Sequence, residues 1–234
     1  MDCSTDNSRD LEDASRSPMR RNRLAGRTIR LAIFDLDGTL TPVDSLWTYL
    51  HEEFGTWEQG KVAAERYRRG EISYQEWAET DAKCWAGAPL SRITKILEQI
   101  PYREGVQKVF QTLRERDVRT AILSAGLSIL ADKAALELGA DFAYSNELEA
   151  NDGRLTGRIF VKVSVKEKMQ LVEQIARKLG VALSHVALVG DRAFDISHPE
   201  CLRIAYKPKD DVARREADVI VEDDDLSSIL HYLL

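Results

Sequence analysis

Residues 31–36 read Leu-Ala-Ile-Phe-Asp-Leu, and Asp37-Gly38 follow at once. A short apolar run closed by carboxylates fits a strand buried on both faces of a parallel sheet, whose carboxyl end opens on a ligand site. Similar runs recur at 118–124 (VRTAILS), 185–191 (HVALVGD), 203–206 (RIAY) and 218–221 (DVIV). Helical patterns separate most of them. From near Glu104, Val106, Val109, Phe110 and Leu113 repeat at the spacing of one buried helix face, and Leu171, Val172, Ile175 and Leu179 do so within 168–179. Strands alternating with amphipathic helices predict an α/β layered fold, a parallel sheet flanked by helices.

Two segments interrupt the alternation. Residues 146–159 (NELEANDGRLTGRI) place Asp152-Gly153, a type I′ turn signal, between two polar–apolar runs, which predicts a β-hairpin leaving the sheet. Residues 45–100 form a longer helix-like insert after the first strand and hold Trp47, Trp57, Trp77 and Trp85. Large aromatics mostly supply buried area, so these four read first as the core of a small helical unit, with pocket lining by one or two of them as the competing reading. No apolar run approaches the roughly 18 residues of a bilayer span, which predicts a soluble chain. The formal charge of −6 makes a basic, nucleic-acid-binding surface an unfavoured reading. Cys3, Cys84 and Cys201 are odd in number and far apart, which fits neither a disulfide framework nor a CxxC site and points to a reducing, cytoplasmic setting. Residues 1–27 lack the apolar stretch of a secretory signal and read as a disordered tail, whose basic part, 16–27, offers a contact for an anionic partner.

Chemistry concentrates at the predicted strand ends. Asp35-Leu36-Asp37-Gly38-Thr39-Leu40-Thr41 projects two carboxylates from one strand. Their repulsion and desolvation are offset best by a divalent cation, and hard oxygen ligands favour Mg²⁺. Leu123-Ser124-Ala125-Gly126 presents a hydroxyl and backbone N–H groups where a strand passes into a helix, a weak anion signal taken alone because serine there is often a plain N-cap. Lys168 opens the next helix with Lys166 as a close competitor, and Gly190-Asp191-Arg192-Ala193-Phe194-Asp195 brings two acids after another apolar strand. His51, His185, His198 and His231 form no HxxxH or HxxH pair, and neither a GxxxxGK[ST] loop nor a GxSxG elbow is present. Glu222-Asp223-Asp224-Asp225 reads as the solvated, dipole-favoured start of the last helix.

The ordered set DLDGTLT, Ser124, Lys168 and GDRAFD resembles the haloacid dehalogenase-like (HAD) superfamily of phosphohydrolases over roughly residues 30–222. The helical insert after the first motif and the hairpin with Leu155-Thr156-Gly157 are similar to the phosphoserine phosphatase branch. That resemblance implies a Rossmann-like core over 28–43 and 101–234, with a small helical cap at 44–100. It also implies a Mg²⁺-dependent phosphomonoester hydrolase acting on a small phosphorylated metabolite, phosphoserine leading. By the same resemblance Asp35 is the nucleophile that becomes an aspartyl-phosphate, and Asp37 is the general acid and then base. Ser124, the Ala125 N–H and Lys168 hold the phosphoryl oxygens. Asp35, the Asp37 carbonyl and Asp191 hold the metal, and Asp195 orients Lys168 or a metal-bound water.

Some positions depart from that branch. Asp44 replaces a longer glutamate that meets the substrate's amino group, and an ungapped alignment sets Glu79 where an arginine meets its carboxylate, leaving Arg68 or Arg69 as substitutes. Arg192 and Phe194 replace a small residue and an asparagine. These six positions are the specificity candidates, and they keep amino-alcohol, sugar and nucleotide phosphates open as substrates. Two other function classes compete: a receiver-type signalling module, against which the second acid Asp37 argues, and a non-catalytic phospholigand-binding protein on the same scaffold.

Overall fold

Strand β1 (Leu31–Phe34) is buried along its whole length and lies fourth in a seven-stranded sheet of order β4-β3-β2-β1-β5-β6-β7. The computed structural model describes residues 27–234, so the predicted tail lies, but for Arg27, outside the described residues. The other strands are β2 (Arg119–Leu127), β3 (Phe142–Asn151), β4 (Arg154–Phe160), β5 (Val186–Gly190), β6 (Leu202–Tyr206) and β7 (Val219–Val221). All neighbours run parallel except β3 and β4. Both faces of β1 are covered, which is why its sequence is continuously apolar and does not alternate. Ala32 and Phe34 join one core, where the Phe34 and Phe110 rings lie 4.8 Å apart, and Leu31 and Ile33 join the other with Val172 and Ile175.

Two of the covering helices are those that periodicity predicts. Helix α5 (Val106–Glu115) buries Val106, Val109, Phe110 and Leu113. Helix α7 (Lys168–Leu179) buries Val172 and Ile175, and Leu171 and Leu179 stay half-buried at its edge. Helix α6 (Ser128–Leu138) follows β2, and the short α8 (Ala193–Ile196), α9 (Asp211–Glu216) and α10 (Leu230–Leu233) complete the carboxyl-terminal half. Asp225 caps the turn before α10 by accepting from the Ser227 N–H at 2.7 Å, a local use of the acidic run.

Residues 45–100 fold as four helices, α1 (Leu46–Phe54), α2 (Trp57–Arg68), α3 (Tyr74–Cys84) and α4 (Leu90–Glu98). Three of the four tryptophans pack together: Trp47 lies 5.7 Å from Trp77 and 6.0 Å from Trp85 between ring centroids. Trp57 stands apart and is exposed, because it opens α2 on the solvent side. Inside the same core His51 Nε2 sits 3.1 Å from Asp81 Oδ1, and His51 Nδ1 is 2.8 Å from the Thr56 hydroxyl.

The hairpin has the anticipated turn, with φ of 47° at Asp152 and 72° at Gly153. It leaves the parallel sheet as predicted: β3 pairs with β2 only through Asn146, and residues 147–151 beyond it pair antiparallel with β4, which forms the outer edge. The insert then covers that edge: the Gly87 N–H donates to Leu155 O at 2.8 Å, and the Leu155 N–H donates to Ala88 O at 2.9 Å. Backbone groups that solvent would otherwise have to satisfy are paired this way.

Candidate active site

The register of the three central strands brings the candidate residues together. Phe34 pairs with Ile122 of β2 and Val189 of β5, so the next residues out, Asp35, Leu123-Ser124 and Gly190-Asp191, end side by side. The Asp35 N–H still donates to Val189 O at 2.9 Å, which fixes its backbone as the last rung of the sheet. Its side chain is thereby aimed out of the carboxyl edge.

Lys168 reaches this edge from the first residue of α7. Its Nζ lies 2.6 Å from Asp35 Oδ1 and 2.5 Å from Asp195 Oδ1, and all three side chains are buried. Lys166, the competing lysine, is exposed. Burial alone would pull the Lys168 ammonium below the usual lysine value, but Asp195 and Asp35 overturn that and hold it above. The lysine is therefore charged across the physiological range.

Asp35, Asp191 and Asp195 each offer a carboxylate oxygen, and these atoms lie within 4.8 Å of one another. Burial, then the charge of Asp35, raises both Asp191 and Asp195 well above the ordinary carboxylate range. Asp191 Oδ2 is buried with no hydrogen-bond partner. A buried, unpartnered anionic oxygen beside two other carboxylates is costly unless a cation compensates it, and an all-oxygen donor set suits a hard divalent ion. The residues present therefore fit such an ion. Gly38 is needed here for space: its φ is 79°, and a Cβ at this position would stand 2.3 Å from Asp191 Oδ2.

Asp37 faces elsewhere. Its Oδ2 accepts from the Leu46 N–H at 2.7 Å, at the start of α1, whereas Oδ1 is buried without a partner. Oδ1 would lie 3.4 Å from a Cβ at Gly126, which puts it beside the irregular end of β2, where the register shifts between Leu123 and Leu127 and the chain does not pass directly from Ser124 into a helix. Burial, followed by the charge of Asp35, pushes Asp37 up to about 7. That value suits a group that gives and takes a proton near neutrality. Ser124 is buried, and its Oγ accepts from the Gly126 N–H at 2.9 Å.

The specificity candidates are less gathered. Asp44 is exposed and pairs with Lys209 at 3.1 Å, and Lys209 is itself tied to the site through its N–H, which donates to Asp191 O at 2.8 Å. Phe194 lies against the cluster, with the Lys168 Nζ 5.7 Å from its ring centroid, and the Arg192 N–H donates to Asp195 Oδ2 at 3.0 Å. Glu79 accepts from Gln75 along α3 at 2.8 Å. Arg68 and Arg69 are exposed at the end of α2, where Arg69 pairs with Glu71 at 3.1 Å. Neither arginine belongs to the buried cluster.

Sequence reasoning missed Asn146. This fully buried residue of β3 donates to Ala125 O at 2.9 Å and Val163 O at 3.0 Å, and its Oδ1 accepts from the Lys162 and Val163 N–H groups at 2.8 and 2.9 Å. It ties the irregular end of β2 to the segment that leads into α7. The available signal was an asparagine inside a strand, where that residue is disfavoured without a specific partner. Thr39, whose hydroxyl is 3.4 Å from Asp35 Oδ2, is a second residue with no assigned role from sequence.

The haloacid dehalogenase-like hydrolase family model matches residues 32–198, a span that runs through the whole cluster from Asp35 to Asp195, and the chain belongs to that family. Within it, the chain is similar to proteins named phosphoserine phosphatase. One from Archaeoglobus fulgidus is 37% identical over 170 residues, 72% of this chain and 49% of the relative. Another, from Methanocaldococcus jannaschii, is 30% identical over 87% of this chain and 97% of its own length. The chain thus spans about half of the first relative and nearly all of the second. A solved phospho-aspartyl intermediate analogue of phosphoserine phosphatase superposes with a TM-score of 0.76 at 28% identity, covering 89% of this chain and 100% of that one.

Proposed function

We propose that the protein is a Mg²⁺-dependent phosphomonoester hydrolase that acts through an aspartyl-phosphate on a small phosphorylated metabolite in the cytoplasm. The observation that carries this reading is the Lys168 ammonium bridging Asp35 and Asp195, with Asp191 beside them at the carboxyl edge of the sheet. The proposal divides the chain into a tail at 1–27, a core of 28–43 with 101–234, and a cap of 44–100.

In this reading Asp35 attacks phosphorus, the ester oxygen departs, and the phosphoryl group rests on the Asp35 carboxylate. Asp37, raised to about 7 and placed beside the irregular end of β2, gives its proton to the leaving alcohol and then takes one from the water that cleaves the acyl-phosphate. Lys168, the Ser124 hydroxyl and the Ala125 N–H hold the phosphoryl oxygens, and Asp195 keeps the ammonium aimed at them. Asp35, Asp191 and the Asp37 carbonyl would hold Mg²⁺, with Asp195 near enough to orient its water; when bound, the ion offsets the negative charge that gathers on the phosphoryl group.

Phosphoserine leads as substrate because the relatives carry that name. A second reading is an amino-alcohol phosphate: the exposed Asp44 already holds the Lys209 ammonium at 3.1 Å, a contact a substrate ammonium would replace, whereas Arg68 and Arg69 lie exposed at the end of α2 outside the buried cluster. The test is a panel of phosphorylated metabolites with Mg²⁺, run on the wild type, Asp35→Asn, Asp44→Ala and Glu79→Ala. The proposal expects turnover of at least one ester that Asp35→Asn lowers about 10³-fold or more. Undiminished turnover by Asp35→Asn rejects the mechanism, and bound Mg²⁺ without activity on the whole panel favours the non-catalytic alternative.

A further inference from the structure

The backbone carbonyl of Ala125 receives three side-chain donors from three separate elements. Trp47 Nε1 of α1 donates at 3.1 Å, the Tyr74 hydroxyl of α3 at 2.5 Å, and Asn146 Nδ2 of β3 at 2.9 Å. Asn146 Nδ2 also lies 3.2 Å from the Tyr74 oxygen, so donors and acceptor form one knot. Trp47, Tyr74 and Asn146 are all buried.

We propose that this carbonyl is a latch through which the helical insert aims residues 124–126, the irregular stretch of β2 that would bind phosphate, with Tyr74 and Trp47 as positioning residues. The proposal rests on the phosphatase reading above. Three donors on one oxygen, which has two lone pairs, fix the plane of the Ala125–Gly126 peptide. Because a trans peptide is planar, fixing its oxygen fixes the direction of the Gly126 N–H on the other side. That N–H donates to Ser124 Oγ at 2.9 Å. A hydroxyl whose oxygen is held by one donor has its own O–H left for an acceptor, and the acceptor at this edge is the phosphoryl group. Asn146 alone belongs to the core sheet; the other two donors come from the insert. The stretch 124–126 is fully aimed only while both donors of the insert are in place.

The test uses the full chain, p-nitrophenyl phosphate turnover with Mg²⁺, and calorimetric binding of inorganic phosphate as a readout that needs no turnover. Variants are Tyr74→Phe, Trp47→Phe and Ser124→Ala, with each of the first two also combined with the third. Tyr74→Phe keeps the ring that packs on Tyr67 and Trp77, so its melting temperature is expected to change little. The expected result is a fall of about tenfold in kcat/KM and several-fold weaker phosphate binding for each single variant, with no further loss when either is added to Ser124→Ala. Equal losses in both backgrounds would assign these residues a merely structural role and overturn the latch, as would wild-type behaviour of both single variants. A wild type that hydrolyses no ester sinks the phosphatase reading instead, and the phosphate-binding comparison still decides the latch.

Discussion

Lys168 Nζ and Asp35 Oδ1 stand 2.6 Å apart although 133 positions separate the residues in the chain. The ammonium compensates the acids on either side of it. Removing it leaves Asp35 and Asp195 facing each other in a buried site. Breaking one partner of such a pair typically costs about 3–5 kcal/mol. Lys168→Met is expected to lower the melting temperature by several degrees and kcat by about 10²-fold or more, with Mg²⁺ recovering part of the stability but little of the rate; thermal unfolding and steady-state kinetics on one preparation check both.

The raised acids set the sign of a pH dependence. Asp37 titrates at about 7 in the folded protein against the ordinary carboxylate value near 4 in the unfolded chain, and Asp191 and Asp195 move in the same direction. Between those values the folded state binds more protons than the unfolded state, so stability falls as pH rises. Metal-free protein is therefore expected to melt several degrees lower at about pH 8 than at about pH 5, and added Mg²⁺ to stabilise it far more at the upper pH. Equal stabilisation by Mg²⁺ at both pH values would count against binding at these carboxylates.

Gly38 tests the close approach of the first and fourth motifs. Gly38→Ala puts a Cβ within 2.3 Å of Asp191 Oδ2 at a φ of 79°. Strain of about 1–3 kcal/mol and a displaced Asp191 are expected, read as a lower melting temperature and at least a tenfold higher Mg²⁺ concentration for half-maximal rate.

His51 and Asp81 offer a control remote from the chemistry. His51→Leu removes the group 3.1 Å from a buried carboxylate that burial already raises above its ordinary value. A loss of about 2–4 kcal/mol is expected, with kcat reduced less than threefold once the protein is held below its transition. A large kcat effect at low temperature would show instead that the insert's core communicates with the site.

Asp44 and Lys209 probe the rim. Their exposed pair adds little to stability, about 0–1 kcal/mol. Asp44→Ala is expected to leave p-nitrophenyl phosphate turnover within threefold and to change the preference among esters bearing an amino group. Loss of both activities in parallel would place Asp44 in the phosphoryl machinery.

The α/β class, five of the strands, helices α5 and α7, and the acids at the strand ends were legible in the sequence, because strand and helix periodicities are local and a paired carboxylate motif is contiguous. The choice of Lys168 over Lys166 was not, because it depends on which face of α7 turns toward Asp35 and Asp195, a matter of packing between elements far apart in the chain. Asn146 and Tyr74 were invisible for the same reason: each is defined by the Ala125 carbonyl it meets, and nothing in residues 70–78 or 142–150 states that partner. The hairpin and its turn were readable from Asp152-Gly153, but the cover that residues 87–90 give its outer strand required the insert to fold back onto it. Local residue order thus specified the elements and the chemistry each could carry. Which side chains meet at the carboxyl edge was decided by the tertiary structure, because the register of β1 with β2 and β5 brings three separate strand ends into line and the packing of α7 brings Lys168 to them.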